Sequence, residues 1–509
     1  MTSFVEHLPL LVVVCSILSA ITILIAGWIN RKAACYVSWA TLLGQFILSL
    51  FILKHVLTVG PIRYRLGGWV PPWGIEYVVD ALNAYVLIIL LFLGLVCVTY
   101  SKRNMEHELP GKVVSFYAIY QLLITGLSGI TVTGDIFNMY VFVEITSLSA
   151  YTLIASRGKI ALKASFTYLV LGSIGACFFL LGIGFLYAIT GSLNMHDLSI
   201  LLPPFYRNRV VIAAFAFILV GLSIKMALFP LHTWLPDAHA FAPAEISAML
   251  SGIIIEVSTY AFIRVAFSVF TSRFLQLLPV LDILSWLAAV AILFGSILAI
   301  TQMNLKRMLA YSSVANMGYI VLALGLSMSS RTAPWGGLNP AMMHILNHAL
   351  MKGCLFLVAG AFIYKADLWE IDQFRGLGKK MPYTCAAFVI AAISMIGVPP
   401  SVGFVSKLYI ILASIEAKQF FFVAILLLSS LLNLIYFWRV IEMMYMKREG
   451  GEEHSHLSPV RKDEIPMSML LPIWVLASLC MVMGISWLAK VPMPILDRVN
   501  ILFGLVQRP

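Results

Sequence analysis

The chain has 509 residues, of which 61% are hydrophobic and only 11% are charged. A soluble domain does not bury so large an apolar fraction, so the composition excludes a soluble enzyme and indicates a polytopic membrane protein. The net charge of +11 does not indicate nucleic-acid binding, because the basic residues lie mostly in short loops between apolar segments. The seven cysteines are odd in number and lack CxxC spacing, which favours core residues over a disulfide or metal framework.

Apolar runs long enough to cross a bilayer predict an all-α fold of about 14 transmembrane helices. In chain order they cover residues 8–28, 33–54, 77–100, 113–132, 135–156, 163–190, 209–238, 243–268, 281–301, 306–329, 339–364, 384–418, 419–446 and 465–489. The first run is followed by no evident cleavage site and is interpreted as a retained helix. The seventh and twelfth spans are over-long, and each is interrupted by proline.

The two interrupted spans lie five spans apart, which predicts an internal repeat. Discontinuous helices at corresponding positions of two halves are typical of inverted repeats around an ion or substrate site. We therefore predict two inverted five-helix repeats with broken helices 7 and 12. The divisions are 1–112 (helices 1–3), 113–268 (first repeat, helices 4–8), 281–446 (second repeat, helices 9–13) and 465–509 (helix 14 and tail). Prolines that only kink helices for packing are the alternative.

The distribution of basic residues predicts the orientation of the chain. Most of them lie in the odd-numbered loops, which the positive-inside rule places in the cytoplasm, with both termini outside the cell (plasma) membrane. They are Arg31, Lys32, Lys102, Arg103, Lys112, Arg157, Lys159, Lys163, Lys306, Arg307, Lys365, Arg375, Lys379, Lys380, Lys447, Arg448, Arg461 and Lys462.

Ionisable side chains inside predicted spans are the main functional signal, because such groups are rare in the bilayer interior. Glu144 lies well inside its helix and is too short to reach the interface. Arg264 and Arg439 lie toward span ends, where a long side chain can extend to the headgroups. The interior candidates are Glu144, Lys225, Glu256, His344, His348, Lys352 and Lys407, with His232 just beyond the first break.

The segment HILNHALMKGCLF places His344, His348 and Lys352 at i, i+4 and i+8, on one helical face. One titratable group per turn suits proton transfer, because imidazole titrates near neutral pH. Two histidines at this spacing can also bind zinc, but the segment lacks the glutamate of HExxH and a nearby third ligand. Histidines hydrogen-bonded into a polar core are the third interpretation.

Each break also lies beside a lysine. Pro230 follows Lys225 and frees backbone carbonyls near residue 226, and the segment GVPPSVGFVSK ends on Lys407. Unwound backbone at membrane depth needs cover from protein or contact with water. The first break therefore predicts a flexible, wetted joint beside Lys225, with a path for a proton from this lysine to His232 or the central residues.

Five motifs together resemble one known family. They are GDIFNMYVFVEITSLSAYTLIA (134–155), KMALFPLHTWLPDAHAFAP (225–243), NLKRMLAYSSVANMGYI (304–320), HILNHALMKGCLFLVAG (344–360) and GVPPSVGFVSK (397–407). Over residues 77–446 the chain resembles the antiporter-like subunits shared by respiratory complex I, Mrp-type cation/proton antiporters and membrane-bound hydrogenases. Its FNMYVFVE form is more similar to the Mrp D-type subunit and its hydrogenase relatives than to the complex I subunits.

The resemblance implies roles for the candidates. Glu144 and Lys225 match a family ion pair that opens and closes during transport. Other matches are His344, His348 and Lys352 in the central axis, Lys407 in the broken twelfth helix, His232 and His239 after the first break, and the acidic positions Asp80 and Asp135 near helix ends.

Glu256 departs from the family, which generally has lysine or histidine at this position. A carboxylate there can pair with Lys225 or bind a cation. Glu245 is about 20° from the same helical face, which predicts two carboxylates on one side of this span. We hypothesise that Glu256 changes the carried ion or connects this half-channel differently.

The resemblance implies an ion-translocating subunit that moves protons, sodium ions or both within a multi-subunit complex. That complex is either an Mrp-type Na⁺/H⁺ antiporter or a hydrogenase-like or complex I-like oxidoreductase with this chain in its pump arm. Neither GxGxxG after a strand nor a cysteine cluster appears, so no cofactor, no metal and no catalytic chemistry of its own are expected. The predicted partners are other membrane subunits, H⁺, Na⁺ and the lipid bilayer, and not nucleic acid. A self-sufficient solute carrier, an intramembrane zinc protease and a structural spacer are weaker alternatives.

Overall fold

The computed structural model describes residues 2–330, 332, 335–446, 463–489 and 494–505. Helices account for most of them. Their bounds are α1 (Thr2–Ile29), α2 (Arg31–Thr58), α3 (Ala81–Glu108), α4 (Val113–Val132), α5 (Ile136–Ala155), α6 (Lys159–Thr190), α7 (Met195–Leu201), α8 (Arg209–Lys225), α9 (Leu235–Phe241), α10 (Ala244–Met249), α11 (Ile255–Arg264), α12 (Thr271–Leu277), α13 (Val280–Thr301), α14 (Leu305–Leu326), α15 (Asn339–Ala366), α16 (Leu377–Lys380), α17 (Pro382–Ile396), α18 (Val402–Glu416), α19 (Phe420–Tyr445), α20 (Met467–Leu488) and α21 (Pro494–Leu502).

Within the described ranges, twelve helices are long and apolar enough to cross a membrane, by length and composition. Two further apolar segments are interrupted, by residues 226–234 between α8 and α9 and by residues 397–401 between α17 and α18. These interruptions lie where the sequence predicts broken spans 7 and 12, so the two breaks are confirmed. The inverted relation between the repeats and the four divisions of the chain stay predictions.

The eighth span is irregular in a way that the sequence did not indicate. A π-helical segment, Leu250–Ile254, joins α10 to α11, and a second one, Val265–Val269, follows α11. A π-helical turn inserts a residue into the α-helical pattern and rotates everything that follows. The phase of Glu245 relative to Glu256 therefore cannot be counted at a constant 100° per residue.

A two-stranded antiparallel sheet interrupts the helical pattern between α2 and α3. Strands β1 (Ile62–Arg65) and β2 (Glu76–Val79) pair with Ile62 opposite Val79. Strand β2 leads directly into α3, whose N-cap is Asp80. The Asp80 carboxylate accepts hydrogen bonds from the backbone N–H groups of Leu82 and Asn83, which satisfies donors that the first helical turn leaves free. The sheet therefore fixes the position of Asp80 at one end of the helical bundle.

Three spans form the centre of the bundle. In α14, α15 and the span Ala244–Val269, 94% of an 18-residue apolar stretch is buried inside the protein, against 28% in α2 and 39% in α6. The central spans carry Glu256, His344, His348 and Lys352, which are therefore shielded from lipid. Burial of this kind requires each charge to find a partner inside the protein.

Candidate ion-translocation site

The first break brings Lys225 and Glu144 together. Lys225 is the last residue of α8, and its Nζ lies 3.5 Å from Glu144 Oε1 on α5. The same ammonium donates a hydrogen bond of 2.6 Å to Ser147 Oγ, one turn further along α5. The Lys225 side chain is 5% exposed, whereas that of Glu144 is 29% exposed. The pair thus joins a buried cation to a carboxylate at the perimeter of the chain.

Protein atoms cover the unwound backbone at this break, as its position inside the membrane requires. Trp234 Nε1 donates a hydrogen bond of 3.0 Å to the Ile224 carbonyl near the end of α8. The Trp234 ring stacks on Tyr168, with centroids 3.8 Å apart. His232 packs against Phe229 and Phe294 instead of Lys225, and among the described residues no hydrogen bond joins it to the lysine. The structure thus does not join His232 directly to the ion pair.

Glu256 and His348 form the centre of the site. Glu256 Oε1 lies 2.5 Å from His348 Nδ1, and the two side chains are 2% and 0% exposed. The carboxylate thus pairs with α15 and not with Lys225, which was one of the two expected partners. Within the described part of the chain, Glu256 Oε2 and His348 Nε2 have no hydrogen-bond partner. Both groups therefore keep free positions at which a proton can be gained or lost.

The other two residues of the α15 motif contact α14 and α18. The rings of His344 and His348 are nearly parallel, with centroids 6.5 Å apart, as the predicted spacing of one helical turn requires. Ser406 Oγ and Asn316 Oδ1 lie 3.0 and 3.1 Å from the two ring nitrogens of His344. Both nitrogens are thus occupied, which does not favour the zinc alternative.

Lys352 is fully buried but turns toward α14. Its Nζ donates a hydrogen bond of 2.6 Å to the Leu309 carbonyl and a second one to Ser312 Oγ. No hydrogen bond joins Lys352 to His348 among the residues that the structure describes. Transfer of a proton between these two groups therefore requires a water molecule or a change of rotamer.

The second break positions Lys407. Its Nζ donates to the carbonyls of Met395 and Ile396, at 2.8 and 3.1 Å, which the end of α17 leaves free. The ammonium also lies 5.0 Å from the Tyr319 ring centroid, and Tyr319 lies 5.4 Å from the His344 ring. Tyr319 therefore connects the central histidines to the lysine of the second break.

Gly403 permits the close approach of the two half-helices, because a Cβ at this position would overlap the Ser394 carbonyl oxygen. We expect Gly403→Ala to displace α18 and Lys407, to destabilise the protein by about 1–3 kcal/mol and to lower ion transport by about tenfold. Thermal unfolding and transport in proteoliposomes measure the two effects. Gly184→Ala is the matched control, since nothing lies within 4 Å of its added Cβ. Unchanged transport by Gly403→Ala would contradict this prediction.

The remaining candidates, Asp135, Glu245 and His239, lie apart from one another. Asp135 caps α5 by accepting a hydrogen bond of 2.7 Å from Asn138 N. This capping contact is a structural reason for an aspartate at this position. Glu245 is fully buried and accepts two hydrogen bonds from the Asn104 side chain of α3, whereas Glu256 contacts α15. The predicted pair of carboxylates therefore has no common partner. The buried ring of His239 stacks on Phe356, and its nitrogens have no hydrogen-bond partner in the described ranges.

Asp80 has a partner that the sequence did not indicate. Arg264 Nη1 and Nη2 each donate a hydrogen bond of 2.8 Å to its carboxylate, and Nη2 also donates to Asn83 Oδ1. Arg264 is only 7% exposed, because this carboxylate holds its guanidinium at the end of the bundle; its extension to the headgroups stays a prediction. A carboxylate at the same depth is a better partner for the guanidinium than a distant headgroup, because the paired hydrogen bonds match its planar geometry.

Several contacts of the candidate residues come from neutral residues that sequence reasoning missed. They are Ser147, Asn316, Ser406, Tyr319, Asn83 and Tyr260. Their signal is weak, because serine, asparagine and tyrosine also occur in membrane helices for packing and local hydrogen bonding. The sequence could have indicated some of them only by their positions inside the five motifs or inside spans that contain ionisable residues.

Comparison with known proteins identifies the family. The family described as NADH:quinone oxidoreductase/Mrp antiporter, TM matches residues 133–433, which include both breaks and the Glu144–Lys225 pair. The chain belongs to this family. The family resemblance read from the five motifs is thereby confirmed, and the chain is an antiporter-like, multi-pass membrane protein. The family match does not distinguish the Mrp D-type subunit from the complex I subunits.

Individual relatives match nearly the whole chain. NADH-quinone oxidoreductase subunit N of Desulforudis audaxviator is 44% identical over 486 residues, which cover 94% of this chain and 96% of the relative. The D-type subunit of a Na⁺/H⁺ antiporter of Alkalihalophilus pseudofirmus is 30% identical over 453 residues, with 88% of each chain covered. A chain of the membrane-bound sulfane sulfur reductase, an archaeal respiratory membrane complex, superposes with a TM-score of 0.86 at 30% identity and covers 97% of both chains.

Proposed function

We propose that this chain is the ion-translocating subunit of a multi-subunit membrane complex and moves protons along its buried Glu/Lys/His axis. One observation carries the proposal: a buried ammonium, Lys225, ends a broken helix and pairs at 3.5 Å with a carboxylate on the neighbouring helix. Without such a partner a buried charge is strongly unfavourable, so the state of the pair controls the charge of the lysine.

The pair can drive proton transfer because its two side chains are buried to different degrees. Lys225 is enclosed, but Glu144 is partly exposed and can withdraw toward the perimeter. Withdrawal leaves the buried ammonium with Ser147 alone, which favours release of its proton. The central residues receive that proton through water, because no hydrogen bond among the described residues joins Lys225 to Glu256 or Lys352.

The second half of the axis has closer contacts. His348 holds Glu256, His344 stacks above His348, and Tyr319 links His344 to Lys407. We infer that protons cross between the two repeats at these histidines and leave near Lys407. The proposed function includes sodium as a second ion that the subunit carries.

The proposed orientation places both termini outside the cell membrane and the odd-numbered loops in the cytoplasm. Lys102, Arg103 and Lys306 lie on the proposed cytoplasmic side. Four further cations used for this inference, Lys447, Arg448, Arg461 and Lys462, lie outside the described residues. Accessibility of tags at the two ends to a protease added from one side measures the orientation directly.

Two assemblies fit the proposed function. Identity is higher to a relative named as part of an NADH-quinone oxidoreductase than to one named as part of a Na⁺/H⁺ antiporter, which favours a redox-driven complex over an Mrp-type antiporter. The partial exposure of Glu144 supports a neighbouring membrane protein at this flank. Mass spectrometry and metal analysis of the complex purified from its native membrane would distinguish the two, since only the redox complex brings iron–sulfur proteins.

The function itself is tested with Lys225→Gln. We expect the same subunits to co-purify with this variant, while proton transport in proteoliposomes falls by about a hundredfold, because no titratable group replaces the ammonium. Lys54→Gln is the control, since Lys54 is exposed on α2. Normal transport by Lys225→Gln would refute the proposal, and loss of assembly together with transport would support the structural-spacer alternative.

A further inference from the structure

A cavity of about 360 Å³ with charged side chains in its wall opens beside the sheet, at the end of the bundle opposite Lys102 and Lys306. Its lining includes Glu76 from β2, Asp80 and Asn83 from α3, Thr133 after α4 and Arg264 from α11. None of these residues belongs to the Glu144–Lys225 pair or to the α15 motif. The cavity is therefore a feature separate from the axis described above.

Charges in the cavity wall are balanced in pairs. Asp80 holds Arg264 through two hydrogen bonds of 2.8 Å. Glu76 Oε1 accepts a hydrogen bond of 2.9 Å from Asn194 and lies 3.8 Å from Arg63 Nη1. Because each carboxylate already has a basic partner, the wall is suited to holding water and not to retaining a metal cation.

A short hydrogen-bond network leads from the cavity wall to Tyr260 and ends on the Thr131 carbonyl. Arg264 Nη2 donates to Asn83 Oδ1, and Asn83 Nδ2 donates to Tyr260 Oη at 2.9 Å. Tyr260 Oη in turn lies 2.9 Å from the Thr131 carbonyl, to which it donates. On α11, Tyr260 is one turn before Arg264 and one turn after Glu256, so each step along this helix covers about 6 Å.

Glu256 lies one helical turn from Tyr260 on α11, and no hydrogen bond among the described residues joins it to the Tyr260 hydroxyl. Glu256 Oε1 is held by His348, but Oε2 is buried and lacks a hydrogen-bond partner among the described residues. Leaving such an oxygen without a partner is unfavourable, and more so when the group is charged. A water molecule or a proton arriving from the direction of Tyr260 would remove that penalty.

We propose that the cavity is the aqueous mouth of a proton route that passes Asn83 and Tyr260 and reaches the axis at Glu256. The route rests on the proposed function and gives the middle of the axis its own connection to one membrane face. Glu256 takes a proton from a hydronium ion, which leaves a water molecule behind. After its carboxyl group rotates, Glu256 gives that proton to Nδ1 of a neutral His348, which forms the imidazolium and regenerates the carboxylate. Transport in the opposite direction reverses the same two steps.

The route is tested by closing its mouth with a chemical label. Ser272 lines the cavity, is partly buried and makes no side-chain hydrogen bond in the described part of the chain. In the intact complex, a Ser272→Cys variant is treated with a membrane-impermeant trimethylammonium methanethiosulfonate, and proton transport is measured before and after. We expect labelling to lower transport by about tenfold, since a fixed cation in the mouth repels protons.

Thr58→Cys is the matched control, because Thr58 is exposed at the same face and does not line the cavity. The unsubstituted complex, treated in the same way, corrects for the native cysteines. A fully labelled Ser272→Cys variant with unchanged transport would overturn the route. So would failure of the label to react while it does react with Thr58→Cys, because the cavity would then not be open to water.

Failure of the route and failure of the proposed function give different results. If Glu144→Gln blocks transport but labelled Ser272→Cys does not lower it, the route is wrong and the axis stands. If Glu144→Gln transports normally, the proposed function itself is wrong.

Discussion

Glu144→Gln is expected to lower proton transport by about a hundredfold and to leave the amount of assembled complex unchanged. Glutamine keeps the size of the side chain but cannot supply the negative charge that lies 3.5 Å from Lys225 Nζ. Removing one partner of a fully buried ion pair typically destabilises a protein by about 3–5 kcal/mol. The loss is smaller here, because Glu144 is 29% exposed and the Lys225 ammonium keeps Ser147 Oγ at 2.6 Å.

The measurement compares proton uptake into proteoliposomes with the amount of protein recovered. Glu106→Gln is a suitable control, since Glu106 forms an exposed ion pair with Arg103 on α3. That substitution removes a carboxylate of the same kind and should change neither quantity. Transport by Glu144→Gln at the level of Glu106→Gln would show that the Glu144–Lys225 pair does not control the proton.

Features that depend on local sequence could be predicted. The spans follow from apolar length, and the breaks follow from proline and glycine at Pro230 and at residues 397–403. The stacking of His344 on His348 follows from helical spacing alone. The proximity of Glu144 to Lys225 came instead from the family resemblance, because nothing within either helix indicates which neighbour it faces.

Contacts between distant segments could not be predicted. Glu256 and His348 are 92 residues apart, and Asp80 and Arg264 are 184 apart. A periodic pattern gives the polar side of one helix but not the helix that packs against it. The π-helical segment Leu250–Ile254 adds a second difficulty, because it changes the phase between Glu245 and Glu256.

Arg264 is another residue whose distant partner could not be predicted from the sequence. Its position near a span end fits a side chain that reaches the headgroups, which is the common behaviour of arginine there. The small sheet instead holds Asp80 at the depth of the guanidinium, and the two form a buried bidentate pair. A short two-stranded sheet among long helices has too weak a sequence pattern to predict such an arrangement.

Glu256→Gln is expected to lower proton transport by about tenfold to a hundredfold. The amide can still hydrogen-bond to His348 Nδ1 but can neither accept nor release a proton at the middle of the axis. Transport is measured with and without sodium, since a shift of the carried ion would appear as altered sodium dependence. If Glu256→Gln transports normally while Glu144→Gln is inactive, the hypothesis that Glu256 sets the ion or the connection is wrong.

A double variant separates the two parts of that hypothesis. If Glu256 is the point where the cavity joins the axis, combining Glu256→Gln with Ser272→Cys makes the remaining transport insensitive to the methanethiosulfonate label. A label that lowers transport in the single and double variants by the same factor would mean that cavity and carboxylate act independently. In that case the carboxylate would act on the choice of ion through its 2.5 Å contact with His348, and not as the inner end of a second route.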